Sequence, residues 1–536
     1  MKYLRLVVFI LAVGALGLAL IGLKNGEDGV SPQSIEIGAI PATIFAPPEG
    51  PAKAIVLVAH GFAGSQQMMA PIATTLARDG YLAITFDFAG HGRDTLPLHG
   101  GVVDLARSTN QLLDQLDEVA TYARARPEFN GKLALVGHSM ASELVVQSAM
   151  RRNDIDATVA ISLFGRAVTA TSPSDLLVID GAWEFGALKD AARHIVGLTA
   201  ADPQEGVTYG DLATGTARSY EYAAGAEHIG VIWSLDALKD TRAWLDAAFA
   251  AKPTDAGVDR RGPYFAVLVI ALAALLRLGI DVLPPVASIP PRAPLSRGRF
   301  YALISAAAVA TPLILWKAPT DFLPILLGDY LATHFAVWGA LLWIGAIWLG
   351  GPSSPLPPGE RVRVRGAATT TKLAEAQSPL TPTLSPQAGR GSAWRVVVAA
   401  AILAALYLIL FGLPLDLFVT SFRPTGLRWA IVPVEIAAVA LAFTAEERLA
   451  RGIGAPRFAY TLIKLAFVVS LLGAVALNLS KLFFLLIVAP VVVVLFVFFG
   501  FLNRATFVRT RAGAVGALGA AVALGYAIAV TFPMVD

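Results

Sequence analysis

The pattern of hydrophobic and polar positions divides the chain into three parts. Residues 4–23, LRLVVFILAVGALGLALIGL, form one apolar run behind Lys2 and Arg5. Residues 27–261 instead alternate short β-branched runs with longer amphipathic stretches, the pattern of an α/β domain. From about residue 263 onward, long apolar segments return with short loops between them.

Within the middle part, SIEIGAIPATIFAP predicts an opening hairpin. AIVLVAH (54–60), YLAITFD (81–87), KLALVG (132–137), ATVAISL (157–163), DLLVIDG (175–181) and ARSYEYA (217–223) predict successive strands. The first three of these six are apolar almost throughout, as a parallel sheet covered on both faces requires. Helices are expected over about 66–79, 103–126, 140–152, 187–197 and 235–250. This order predicts a doubly wound α/β sheet.

The apolar segments that follow predict membrane spans near 263–283, 300–316, 331–350, 396–414, 428–445, 458–477, 481–502 and 512–533. Each approaches or reaches the ~18–20 residues that cross a bilayer as a helix. The first run makes nine, read as a signal anchor, with a cleaved signal peptide as the alternative. Three divisions result: 1–26 anchor, 27–261 α/β domain, and 262–536 helical membrane domain. Residues 351–394, rich in Pro, Ser, Gly and Arg, predict a disordered loop in the last of these. Basic residues cluster in alternate loops: Arg292, Arg297 and Arg299; Arg361, Arg363 and Arg365; Arg448, Arg451 and Arg457; Arg504, Arg509 and Arg511. The positive-inside rule places these loops in the cytoplasm, and with them the N-terminus. The α/β domain is then expected on the outer face of a cell inner or plasma membrane.

Composition sharpens this picture. The chain is 56% hydrophobic, and its mean hydropathy is +0.63. Its net charge of +3 conceals an asymmetry: residues 27–261 hold 18 Lys/Arg against 29 Asp/Glu, a net of −11, so the remainder carries about +14. An acidic α/β domain argues against a nucleic-acid partner. The absence of cysteine excludes disulfides and thiolate catalysis.

The candidate chemistry centres on Gly137-His138-Ser139-Met140-Ala141. Ser139 lies where KLALVG ends and the helix of MASELVVQSAM begins. That is the place for a nucleophile on a sharp turn at the positive end of a helix dipole, although a plain N-cap serine gives the same local pattern. The small residues Gly137 and Ala141 meet the steric demand of such a turn. HGFAGS, after the strand 54–60, offers the Phe62 amide as an oxyanion donor, with the Met140 amide as the second. GAEH places His228 between the last strand and the last helix, where an imidazole can take the Ser139 proton. DLLVIDGAWEF supplies two acids to orient it: Glu184, which has the longer reach along the loop, and Asp180 as the alternative at the strand tip.

The order Ser139, Glu184, His228, with HGFAGS, FDFAGHGRD, GHSMAS, LLVIDGAWE and GAEH, resembles the α/β-hydrolase family over about residues 34–250. Asp94 stands where the FDFAGHGRD segment of the family usually has serine. The whole layout resembles that of multi-span bacterial membrane proteins bearing an α/β-hydrolase domain. The resemblance implies a Ser-His-Glu triad that forms an acyl-enzyme and needs no metal or organic cofactor. SLFGRAVTATSPSDL leaves only about a dozen residues where many relatives insert a helical cap, so no cap is expected.

The reading is therefore a membrane-bound serine hydrolase of acyl esters or thioesters, with small-molecule or lipid substrates. Met68, Met69, Phe62 and Trp183 are candidates for an apolar acyl pocket. Acyl transfer by the same triad is the nearest alternative, and a non-catalytic head on a transporter-like domain is the second. Asp329, His334, Glu435 and Lys464 lie within spans, where ionisable groups are costly, and Glu435 and Lys464 are candidates to pair.

Overall fold

The structure, a computed structural model, describes residues 2–165, 167–287, 295–350 and 387–536. Eight strands form one sheet: β1 (Gln33–Ile37), β2 (Ile40–Phe45), β3 (Ile55–Ala59), β4 (Leu82–Phe86), β5 (Leu133–His138), β6 (Ala157–Ile161), β7 (Leu176–Gly181) and β8 (Arg218–Ala223). Their order is β1-β2-β4-β3-β5-β6-β7-β8. β1 and β2 are antiparallel, and every pair from β4 through β8 is parallel.

Helix α1 (Lys2–Asn25) precedes the sheet, and five helices connect its strands: α2 (Ala70–Arg78), α3 (Leu105–Arg124), α4 (Met140–Arg151), α5 (Gly186–Gly197) and α6 (Leu235–Ala248). Side chains alternate across a strand, so one strand feeds two cores. Val56 and Val58 of β3 pack with α2 and α6, whereas Ile55 and Leu57 pack with α3 and α4. Burial on both faces explains why these strands lack a polar face. This is the α/β-hydrolase fold, and among the described residues no helix stands between β6 and β7, so the domain has no cap.

The remaining helices are α7 (Arg261–Gly279), α8 (Arg297–Leu315), α9 (Gly328–Leu349), α10 (Gln387–Tyr407), α11 (Leu413–Phe418), α12 (Arg428–Ala450), α13 (Ala459–Leu477), α14 (Leu479–Leu482), α15 (Phe484–Thr510) and α16 (Gly513–Thr531). Among the described residues nine helical segments, including α1, are long and apolar enough to cross a membrane. Glycines let their backbones meet, as in membrane helix packing. A Cβ on Gly525 would stand 2.6 Å from the Ile436 nitrogen, and one on Gly339 would stand 2.6 Å from the Ala442 nitrogen, which brings α16 and α9 against α12. α1 packs beside α7 through Ala19, Leu23, Leu268 and Leu272.

Two expectations change. Lys464 forms its ion pair with Glu446 at 2.5 Å rather than with Glu435. Glu446 lies about five turns along α12 from the start of that helix, level with the beginning of α13, whereas Glu435 lies too near the other end. The Glu435 carboxylate has no hydrogen-bond partner among the described residues. His334 lies 3.2 Å from Ser470 Oγ, and Asp329 accepts from the Tyr330 amide at the start of α9. The segment 351–394 falls outside the described residues up to 386, as do Arg292, Arg361, Arg363 and Arg365, and its last residues belong to α10.

The loops that alternate with the basic ones all meet the α/β domain. Leu326 packs against the α3–α4 core, Thr420 Oγ1 lies 3.0 Å from Ser65 Oγ, and Phe483 approaches Phe164. In the tail after α16, the Met534 amide donates to the Gly90 carbonyl and the Leu98 amide donates to the Met534 carbonyl, each at 2.9 Å. Arg428, fully buried at the start of α12, joins the two parts: its guanidinium donates to the carbonyls of Ala529, Phe532 and Gly90, each at 2.7 Å. Arg428→Met will leave the buried carbonyls of Ala529 and Phe532 without their donor, while Gly90 keeps the Met534 amide, at a cost of about 2 kcal/mol or more. A lower melting temperature in detergent and faster proteolysis at the 90–98 loop are the expected readouts.

Candidate active site

Ser139 sits between β5 and α4 with φ 54° and ψ −118°, a conformation that strains any residue bearing a Cβ. Its neighbours explain how the chain tolerates that turn. A Cβ on Gly137 would lie 2.3 Å from the Ala141 carbonyl oxygen, so only glycine fits there. The Ser139 amide donates to the Ile161 carbonyl at 2.8 Å, which ties the turn to the end of β6.

His228 arrives from the loop after β8. Its Nε2 lies 2.9 Å from Ser139 Oγ, and its own carbonyl accepts from His138 Nε2 at 2.8 Å. Because a carbonyl can only accept, His138 carries its proton on Nε2. Burial and the neighbouring His228 push the His138 pKa down to about 3, so it stays neutral and holds the loop without competing for the proton.

Of the two candidate acids, the structure brings Glu184 to the histidine. Glu184 Oε1 lies 3.5 Å from His228 Nδ1 and accepts from Ser162 Oγ at 2.6 Å. Gly181 makes this approach possible, because a Cβ there would stand 2.5 Å from the Ala226 carbonyl oxygen. The Trp183 amide donates to that same carbonyl at 3.0 Å, fastening the acid-bearing loop to the histidine-bearing one. Asp180 lies fully buried at the end of β7, with no hydrogen-bond partner for either oxygen among the described residues. Burial, then the charge of Glu184, push its pKa up to about 8. Asp180 is therefore mostly protonated at neutral pH.

The two amides expected to hold an oxyanion are both available. Met140 is the first residue of α4, and the first amides of a helix have no partner within it. No hydrogen bond engages the Phe62 amide among the described residues. The Gly61 carbonyl accepts from His60 Nδ1 at 2.8 Å and from the Gly64 amide at 3.0 Å. In a trans peptide the C=O and the following N–H point in opposite directions, so the Phe62 N–H is turned out of that loop. A Cβ on Gly61 would stand 2.9 Å from Ser139 Cβ, which sets this peptide against the serine. His60 Nε2 accepts from the Phe88 amide at 3.1 Å, leaving Nδ1 as the donor.

The apolar-pocket expectation divides. Met69 is wholly within the core beneath the sheet and Met68 packs against it, because both turn inward with the 3₁₀ segment before α2. Phe62 stacks on Phe484 of α15 at 4.5 Å between ring centres, and Trp183 is exposed beside Glu184. Asp94 is buried and accepts from Gln115 Nε2 at 3.0 Å, a structural role. Sequence reasoning missed Ser162, whose φ of 58° aims it at Glu184, since a serine at a strand end carries no signal of its own.

Residues 50–177 match the family described as serine aminopeptidase, S33, a stretch that includes Ser139 and ends before Glu184 and His228. No curated protein matches the chain. Similar solved structures include a serine hydrolase without lid from Xanthomonas campestris, 16% identical, covering 42% of this chain and 97% of that one with a TM-score of 0.30. A dienelactone hydrolase from Anabaena variabilis is 16% identical and covers 42% of this chain and 98% of its own, with a TM-score of 0.31. A membrane phospholipase A described as a bacterial virulence factor is 13% identical, covering 47% and 100%, with a TM-score of 0.31.

A carboxyl group whose pKa is raised in the folded state binds its proton there while the unfolded chain has released it. Stability is therefore lost as pH rises from about 4 toward about 8, by at most about 1.4 kcal/mol per unit. Asp180→Asn removes that loss. Its melting temperature will rise relative to the parent across this range and run parallel to it above about pH 8, measured in buffered thermal scans.

Proposed function

We propose that the chain is a membrane-bound serine hydrolase acting on acyl esters or thioesters, with Ser139 as nucleophile, His228 as base and Glu184 as its orienting acid. The observation that carries this reading is the 2.9 Å approach of His228 Nε2 to Ser139 Oγ on a strained strand-to-helix turn. Ser139 Oγ attacks the acyl carbonyl as its proton passes to His228 Nε2. The negative oxygen that forms accepts from the Phe62 and Met140 amides. His228 then protonates the departing alcohol or thiol, leaving an acyl-enzyme on Ser139. Water, deprotonated by the same imidazole, releases the acid and restores the serine. Glu184 stabilises the imidazolium through Nδ1; catalytic contacts of this kind are often long before substrate binds, and the 3.5 Å separation is expected to shorten then.

Ser139→Ala and His228→Ala will each lower ester turnover by at least about a thousandfold, and Ser139→Ala will abolish fluorophosphonate labelling. Glu184→Gln will cost at least about tenfold, while Asp180→Asn stays within about twofold of the parent. A loss on Asp180→Asn that Glu184→Gln does not produce would transfer the orienting role to Asp180.

The same reading places the α/β domain outside the cytoplasm, on the strength of the basic loops. The chain has no native cysteine, so single substitutions report cleanly. Val103→Cys, on the exposed loop after β4, will react with a membrane-impermeant maleimide in intact cells. Ile453→Cys, between α12 and α13, will react only after permeabilisation. The reverse pattern would invert the topology.

A further inference from the structure

The catalytic strand lies beneath the membrane domain. β5 runs between β3 and β6 in the sheet, and the loops after both neighbours touch the outer end of α15. Phe62, after β3, stacks on Phe484, and Phe164, after β6, lies 6.2 Å from Phe483 between ring centres. Ser139, at the tip of β5, therefore opens at the depth where a membrane span begins.

That opening has an apolar rim. Phe164, Trp183 and Phe185 are the α/β domain's exposed aromatic side chains among the described residues, at 62%, 74% and 65% exposure. All three stand on loops after β6 and β7, and Ile229, next to the catalytic histidine, is 36% exposed on the loop after β8. Leu96, Val103 and Leu105 continue the exposed apolar surface on the loop after β4 and the start of α3. A soluble protein gains nothing by gathering its exposed aromatics around one catalytic mouth, whereas aromatic rings are favoured at the boundary between lipid and water. The missing cap fits the same arrangement: the membrane domain occupies the side from which a cap would enclose the site.

From this geometry, and resting on the hydrolase reading above, we infer that the substrate is an ester-linked lipid of the adjoining leaflet, whose acyl chain reaches Ser139 laterally across Phe164, Trp183 and Phe185. The net charge of −11 over residues 27–261 disfavours anionic headgroups, so the lipid class is neutral or zwitterionic. The rim residues bind and orient the chain, and the triad cleaves the ester as it would any other.

The test uses the full chain in vesicles of zwitterionic diacyl phosphatidylcholine carrying a trace of a fluorogenic analogue, beside p-nitrophenyl acetate in solution. The expected result is vesicle-lipid cleavage that Ser139→Ala abolishes. Trp183→Ser/Phe185→Ser and, separately, Phe164→Ser will reduce it by at least about tenfold. Turnover of p-nitrophenyl acetate and fluorophosphonate labelling will stay within about twofold in the same variants, which shows that they are folded and that the triad is intact. Turnover of the soluble ester without any cleavage of vesicle lipid would overturn lateral access and leave the hydrolase reading standing. An equal fall on both substrates, or no fall on either, would also overturn it. A folded parent chain that cleaves neither ester and takes no label would fail the hydrolase reading itself.

Discussion

A buried guanidinium holds the two halves of this protein together. Arg428 satisfies two carbonyls at the end of α16 and one on the loop after β4, and all of these oxygens lie away from water. Both terminal nitrogens of the guanidinium are used, and the Ala529 and Phe532 carbonyls would be costly without them. The chain's last residues add backbone bonds to Gly90 and Leu98, and His99 Nδ1 reaches Asp536 at 2.8 Å. The C-terminal edge of the sheet is therefore fixed against the loops of the helical domain that alternate with the basic ones.

The site itself depends on backbones that approach more closely than a side chain would allow. Gly61 sets the 61–62 peptide against the serine, Gly137 lets β5 turn sharply into α4, and Gly181 lets the loop of Glu184 meet the loop of His228 at Ala226. Around these contacts the histidines divide the work by protonation state. His60 and His138 are buried and neutral, each donating one hydrogen bond that orients a peptide or a loop. His228 alone faces the serine. The two carboxyls are separated in the same way: burial keeps Asp180 protonated, while Glu184 has the Ser162 hydroxyl and the imidazole beside it.

The helical domain shows what a linear reading can misassign. Glu435 and Lys464 looked like a pair because both are isolated charges in apolar runs. Lys464 instead lies over the ring of Phe443 at 3.7 Å and beside Glu446, a residue that the sequence presents as part of a charged flank. Helix rotation and depth decide such pairs, and neither is encoded in a one-dimensional hydropathy pattern. The same holds for Met69, whose neighbourhood in the chain pointed to the site and whose side chain points into the core.

What the sequence determined by itself is what local periodicity can carry. Burial on both faces made the strands from β3 to β7 largely apolar runs, and the long helices after residue 261 show as long apolar segments, so both were legible within a few residues of their ends. The order Ser139, Glu184, His228 was legible too, because the fold puts each on a loop at a fixed place in the strand sequence. Tertiary structure alone decided which carboxyl meets His228, since that depends on a close approach between residues 181 and 226. It alone decided the role of Ser162 and the burial of Arg428, whose partners lie as far as 338 positions away. It also placed four exposed apolar side chains on the three loops after β6, β7 and β8. Contacts of that kind are set by distances between segments remote in the chain, and no pattern within either segment records them.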